Sequence, residues 1–176
     1  ILFNRSSITN RHALDLRDGW MHVASLSPPG RSFINNLDRV TRLSQGSDTY
    51  DVAVGFENHA NLVVNDAPSG ELPELKIVCP VAFVNTGQVE VAADAVVTIL
   101  GQSQFYRGEL IGSGVLLIPD AARMSSGGDS PFVVQAGATL RSHSGFFDGS
   151  LVVNGQFDLW GGTFDRDLTT LTIRPT

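Results

Sequence analysis

Phe105-Tyr-Arg-Gly-Glu-Leu-Ile-Gly-Ser-Gly-Val-Leu-Leu-Ile118 returns later in the chain as Phe146-Phe-Asp-Gly-Ser-Leu-Val-Val-Asn-Gly-Gln-Phe-Asp-Leu159. Phe105/Phe146, Gly108/Gly149, Leu110/Leu151 and Gly114/Gly155 are identical, and Ile111/Val152, Leu116/Phe157 and Ile118/Leu159 are similar. Upstream, Ala93-Asp-Ala-Val-Val97 answers Ala136-Gly-Ala-Thr-Leu140 once two residues are skipped. Self-similarity at such a spacing is the signature of stacked or arrayed units.

On either side of the repeat, the segments 75–84, 88–99, 109–118, 132–141, 150–160 and 168–174 read as strands separated by Gly, Asn, Ser and Asp. Side chains alternate across a strand, so parity assigns faces. Val89, Val91, Ala93, Ala95, Val97 and Ile99 share one face; so do Leu110, Gly112, Gly114, Leu116 and Ile118. Phe132, Val134, Ala136, Ala138 and Leu140 form a third such set, and Leu151, Val153, Gly155, Phe157 and Leu159 a fourth. Recurrent Gly and Ala on these inward faces suit a narrow interior. No helical pattern separates the strands, so βαβ units are excluded. The pattern predicts a mainly β chain built as a parallel β-solenoid (β-helix), with a β-sandwich or jelly roll as the alternative. Propeller blades also have repeats of about 40 residues. Two copies are too few for a ring, however, and the Trp-Asp signature is missing.

The N-terminal part is less regular. His12–Arg17 and Trp20–Leu26 alternate around Asp18-Gly19, a hairpin turn or, in a solenoid, a corner between coils. Ser27-Pro-Pro-Gly30 breaks the pattern. Phe33, Ile34, Leu37, Val40 and Leu43 then recur at three- and four-residue spacing, which predicts an amphipathic helix over 32–44, capped by Ser32 and ended near Gly46. Strands follow at 49–56 and 60–65. The Pro/Gly-rich bend from Asp66 to Pro73 divides a capping or flanking region, 1–74, from a solenoid repeat region, 75–176. A helix in the first of these would cover bare core and strand edges.

Composition bounds the function. The chain has 176 residues, a net charge of −6, 42% hydrophobic and 17% charged residues, those of a folded chain with a real core. No basic stripe is present for phosphates, so nucleic acid is not an expected partner. The longest apolar run, Ile77–Val84, is too short to span a bilayer as a helix and holds a Pro, so membrane insertion is not expected. Cys79 is the single cysteine, which leaves no disulfide framework and reads as a small buried strand residue. The chain opens at Ile1 with no leader pattern, and reads as a processed or trimmed piece of something longer.

Two stretches carry a family resemblance, Gly87-Gln-Val-Glu-Val-Ala-Ala-Asp-Ala-Val-Val97 and Gly149-Ser-Leu-Val-Val-Asn-Gly-Gln-Phe-Asp-Leu-Trp-Gly-Gly-Thr-Phe164. In their phrasing, the chain over about 75–176 resembles right-handed parallel β-helix surface proteins. These are adhesins, autotransporter passengers and phage fibre or spike domains. The resemblance implies a rigid shaft or scaffold at a cell or virion surface, and it transfers no catalytic residue.

Motif by motif, the chemistry is sparse. Asp148, Asp158, Asp165 and Asp167 form a carboxylate group, with Trp160 as a sugar-stacking platform. This supports the alternative reading of a β-helix that binds or cleaves a polysaccharide through Asp148, Asp158, Trp160 and Asp165. The plainer reading places Asp148 and Asp165 in turns and leaves Asp158 to solvate an exposed strand. Phe164-Asp-Arg-Asp-Leu168 resembles one arm of a Ca²⁺ loop but lacks the full spacing. His12, His22, His59 and His143 have no metal-ligand spacing, so no metal or cofactor is expected. Gly112-Ser-Gly114 lacks the context of a nucleophile elbow, and no phosphate-binding loop occurs. A pair of outward threonines, Thr170 and Thr172, is too little for an ice-binding ladder, and Asn4-Arg-Ser6 is a lone glycosylation sequon. Ile111, Val115 and Leu117 are outward yet apolar, which marks a contact surface within the chain or between subunits. The sequence therefore points to a non-enzymatic structural and interaction module, a fibre, adhesin stalk, appendage or decoration subunit. Its partners would be itself, other structural subunits or a surface glycan.

Overall fold

The computed structural model describes residues 2–3, 7–16, 20–23, 33–42, 49–53, 55–65, 74–119, 122–125, 130–143 and 145–173. It is a parallel β-solenoid: every strand pairing among the described residues is parallel, which removes the sandwich alternative. The register groups the strands into three walls that each coil visits in turn.

The first wall begins with β2 (Ser7–Asn10), β5 (Phe33–Asn36) and β8 (Gly55–Asn58). The second stacks β3 (Ala13–Leu16), β6 (Arg39–Arg42), β9 (Asn61–Val64), β11 (Gln88–Val91), β13 (Gly108–Gly112) and β16 (Phe132–Val134). The third stacks β1 (Leu2–Phe3), β4 (Trp20–Val23), β7 (Thr49–Ala53), β14 (Val115–Ile118), β17 (Thr139–Ser142) and β19 (Gln156–Leu159). Longer elements turn a corner between walls. β10 (Glu74–Asn85) pairs with β7 over its first four residues and with β8 over its last three, and β12 (Val96–Phe105) follows it around the same bend. β15 (Ala122–Ser125) pairs with the start of β18 (Gly145–Val153), whose second half joins β16; β20 (Gly162–Ile173) tracks β18. The break in register between Cys79 and Phe83 contains Pro80, which cannot donate to a ladder.

The inward residues form continuous columns. On the second wall Val40, Leu62, Val89, Leu110 and Val134 stack in register and are fully buried. Leu75, Val97, Leu116 and Leu140 do the same on the third, with Ile77 and Ile99 beside them. The strands predicted over 88–99, 109–118, 132–141 and 150–160 are each divided by a corner: Ala92–Ala95, Ser113-Gly114, Gln135–Ala138 and Asn154-Gly155 separate them. Ala93, Gly112 and Ala136, assigned inward by parity, are exposed at these corners, while Ala95, Gly114 and Ala138 are buried. The corners are tight. At Gly108 φ is +105°, and a Cβ there would collide with the Gly87 carbonyl of the coil before.

The internal repeat is a two-coil repeat. Gly114 and Gly155 occupy equivalent corners, with Leu116 stacking on Leu140 and Leu140 on Phe157. On the second wall the identity misleads by two residues, since Leu110 stacks on Val134 and then Val153, not on Leu151.

The predicted helix over 32–44 is not formed in its described part, 33–42; Ser32, Leu43 and Gly46 lie outside the described residues. Phe33–Asn36 and Arg39–Arg42 are strands on two different walls, joined by a corner at Leu37-Asp38. Ile34 and Val40 are buried on either side of that corner, so a six-residue separation imitates two helical steps. Leu37, the centre of the expected apolar face, is 44% exposed. Asn35, Asn36, Val40 and Thr41 favour corners and strands over helix interiors, which agrees with the outcome. Residues 17–19, which include the Asp18-Gly19 turn, lie outside the described residues. The strands on either side of it, β3 and β4, pair with β6 and β7 and not with each other, so they are not a hairpin.

Candidate functional site

The outer face of the third wall carries the candidate residues. Its outward columns follow from the register. Glu74, Val96, Val115, Thr139 and Gln156 form one, and Lys76, Thr98, Leu117, Arg141 and Asp158 the next. Alternation then places Leu100, His143 and Trp160 further along the same face. The structure thus brings Val115 and Leu117 onto one surface with Asp158 and Trp160. Ile111 sits around the Ser113-Gly114 corner, on the second wall. All three of these apolar residues, Ile111, Val115 and Leu117, are half-buried.

At the end of this face the side chains are tied together. Arg141 donates from Nε and Nη2 to Asp158 Oδ2 at 3.2 and 3.1 Å, and Gln156 Nε2 donates to Asp158 Oδ1 at 2.7 Å. The Gln156 hydrogen bond above all, with Arg141 adding to it, holds the Asp158 carboxyl below the ordinary carboxylate range, against a smaller opposing effect of burial. Asp158 is therefore ionised at neutral pH and poorly suited to donate a proton. Trp160 is 71% exposed. Its indole lies parallel to the His143 ring, with centroids 4.5 Å apart and planes 5° from coincidence, and the Arg141 guanidinium carbon is 5.8 Å from its centroid. Gln156 also lines a shallow cleft of about 460 Å³ with Gly137, Ala138, Gly155 and Phe157.

The other carboxylates of the predicted cluster lie elsewhere. Asp148 ends the first-wall part of β18, whereas Trp160 is at the corner where β19 leaves the third wall, so the first-wall strand separates them. Asp165 is in β20; its side chain, those of Asp167, Cys79, Thr170 and Thr172, and all of Asn4-Arg-Ser6 lie outside the described residues. Among the described residues no three His, Cys, Asp or Glu side chains gather as a metal site.

Sequence reasoning missed a polar column that is internal. Asn10, Asn36, Asn58 and Asn85 stack at the corner between the first and second walls. Each side-chain amide donates to the carbonyl oxygen of the next: Asn10 to Asn36 at 2.9 Å, Asn36 to Asn58 at 2.7 Å and Asn58 to Asn85 at 2.7 Å. The same amides donate to the Arg39, Asn61 and Gln88 carbonyls of the following coil. A signal was available in Ile8-x-Asn10-x-x-x-Leu14, Ile34-x-Asn36-x-x-x-Val40, Phe56-x-Asn58-x-x-x-Leu62 and Phe83-x-Asn85-x-x-x-Val89. It is hard to see because the rungs are 26, 22 and 27 residues apart. Outside, Glu109 is held between the amides of Gln88 and Gln135, both at 2.7 Å.

Comparison with protein-family models, with curated proteins and with solved structures finds no match to this chain.

Proposed function

We propose that the chain is a non-enzymatic structural and interaction module of an extracellular or virion-surface assembly, a fibre, stalk, appendage or decoration subunit. The observation that carries this reading is the apolar row on the outside of the third wall. Val96 and Val115 lie in register, with Leu117 beside them and Leu100 beyond, on a parallel sheet that the coil locks in place. Outward apolar side chains gathered on one rigid face suit a contact with another subunit, and Ile111 extends the surface around the corner. The resemblance to surface β-helices supplies the location, and the stacked coils supply a stiff scaffold. No residue is assigned a catalytic role: both oxygens of Asp158 are engaged by Arg141 and Gln156, and Asp148 lies on the first wall, away from it.

Sedimentation velocity across a concentration series tests the proposal. Concentration-dependent assembly that Val115→Asp weakens at least about tenfold is the expected result, since burying an unpaired charge costs more than about 1.4 kcal/mol. A monomer at every concentration, or assembly indifferent to Val115→Asp and Leu117→Asp, would remove this face as the contact.

A further inference from the structure

We propose that the corner at Trp160 is a binding site for a neutral, hydroxyl-rich saccharide. His143 covers one face of the indole, and an exposure of 71% requires the opposite face to be open to solvent. A large aromatic face left in water is a ready partner for the C–H face of a pyranose ring, which is apolar, while its hydroxyls need hydrogen-bonding groups beside it. Those groups are present in a row along β19. Asp158 is one outward step from Trp160 and Gln156 the next, and the span from Gln156 to Trp160 is roughly 13 Å at the rise of an extended strand. Asp158 supplies a charged acceptor and Gln156 an amide that donates and accepts, and Arg141 fixes the carboxylate from the neighbouring strand. The cleft lined by Gln156 and Gly155 continues the row at its far end.

The platform is also held in advance of binding. The stack on His143 and the Arg141 guanidinium near the ring restrain the indole, which lowers the ordering cost that a free surface tryptophan would impose on a ligand. Charge selects the class of sugar. Arg141 is already neutralised by Asp158 and the whole chain carries a net charge of −6, so an acidic polysaccharide would meet repulsion, with no unpaired arginine or lysine at this corner among the described residues to compensate. Saccharide binding here is independent of the proposed assembly, which rests on Val96, Leu100, Val115 and Leu117.

The test is NMR of the ¹⁵N-labelled full chain titrated with cello-, malto- and chito-oligosaccharides, with oligogalacturonate as the acidic comparison. At least one neutral probe is expected to shift the Trp160 indole N–H and the Arg141 Nε signals saturably. Trp160→Ala should weaken that binding about tenfold or more, Trp160→Phe should restore part of it, and Asp158→Asn should weaken it by less. Trp160 is mostly solvated, so the fold survives its replacement; unchanged circular dichroism verifies this. Val115→Asp should leave the titration unaltered. The proposal is overturned if no neutral probe shifts these signals, if the shifts persist in Trp160→Ala, or if oligogalacturonate binds more tightly. It is equally overturned if the signals follow protein concentration instead of sugar, which would make the platform a contact between chains.

Discussion

Successive coils of the solenoid close the same corner with different chemistry. From Asn10 to Asn85 the junction of the first and second walls is a hydrogen-bonded column of asparagine amides. At the next rung the column stops, because Phe105 stands in register with Asn85 and Ser103 with Phe83. The aromatic position and the polar position have exchanged places. Phe105 then lies between Phe83 at 5.5 Å and Phe132 at 4.8 Å, continuing the aromatic stack that began with Phe56 and Phe83 at 5.9 Å. The corner that follows is one residue longer, as Gln88 comes three residues after Asn85 but its partner Glu109 comes four after Phe105. A tight corner with buried backbone carbonyls needs an amide at each rung to satisfy them. A wider corner leaves room for a ring, and burial takes over from hydrogen bonding.

The contrast is sharpest at the crossover, where the largest effects are expected. Phe105→Ala removes the ring that joins Phe83 to Phe132 and should cost about 3–5 kcal/mol in chemical denaturation. Phe105→Asn should be nearly as damaging alone. Combined with Ser103→Phe it extends the upstream arrangement by one rung, and a partial recovery of stability in the double variant is expected. Next comes the ladder itself. Asn58 donates to Asn85 and the Gln88 carbonyl and accepts from Asn36, so Asn58→Ala should lower stability by about 2–4 kcal/mol through the groups it strands. Asn10 sits at the first rung and accepts no bond from another ladder amide among the described residues, so Asn10→Ala should cost about 1 kcal/mol. Equal losses at the two rungs would mean that the amides act singly and not as a column.

The smallest effect concerns the outer network at the C-terminal end of the third wall. Asp158 has a folded pKa below its unfolded value near 3.9, so its stabilising contribution is present above that value and is lost as pH falls through the folded pKa. A carbon-detected titration of Asp158 should give a midpoint below the ordinary range. Gln156→Leu should raise it at least as much as Arg141→Leu, because the glutamine bond is the larger cause.

The same contrast explains which features the amino-acid sequence reveals. Parity works where strands are apolar on one side, so Val89, Val91, Leu110, Leu116, Val134 and Leu140 are placed inward correctly. Corners are less visible, since Ala93, Gly112 and Ala136 keep the alternation in letters while turning outward in space. Unequal coil lengths hide the asparagine column, and a corner at Leu37-Asp38 produces helical spacing without a helix. For the outer face, sequence spacing places Asp158 and Trp160 together, because they are two residues apart along one run of chain. Their alignment with Arg141, His143, Val115 and Leu117 depends on the register of three neighbouring strands, which no local pattern encodes.

Stacking of the coils in register around a buried asparagine column is open to a direct check by side-chain amide exchange in a ¹⁵N-labelled sample. Asn36 and Asn58 should show slowly exchanging side-chain N–H₂ signals with nuclear Overhauser contacts to each other's rung and to the Asn61 and Gln88 backbone of the next coil. Exchange at the rate of a solvated amide, with no contact between the two rungs, would contradict the stacked column.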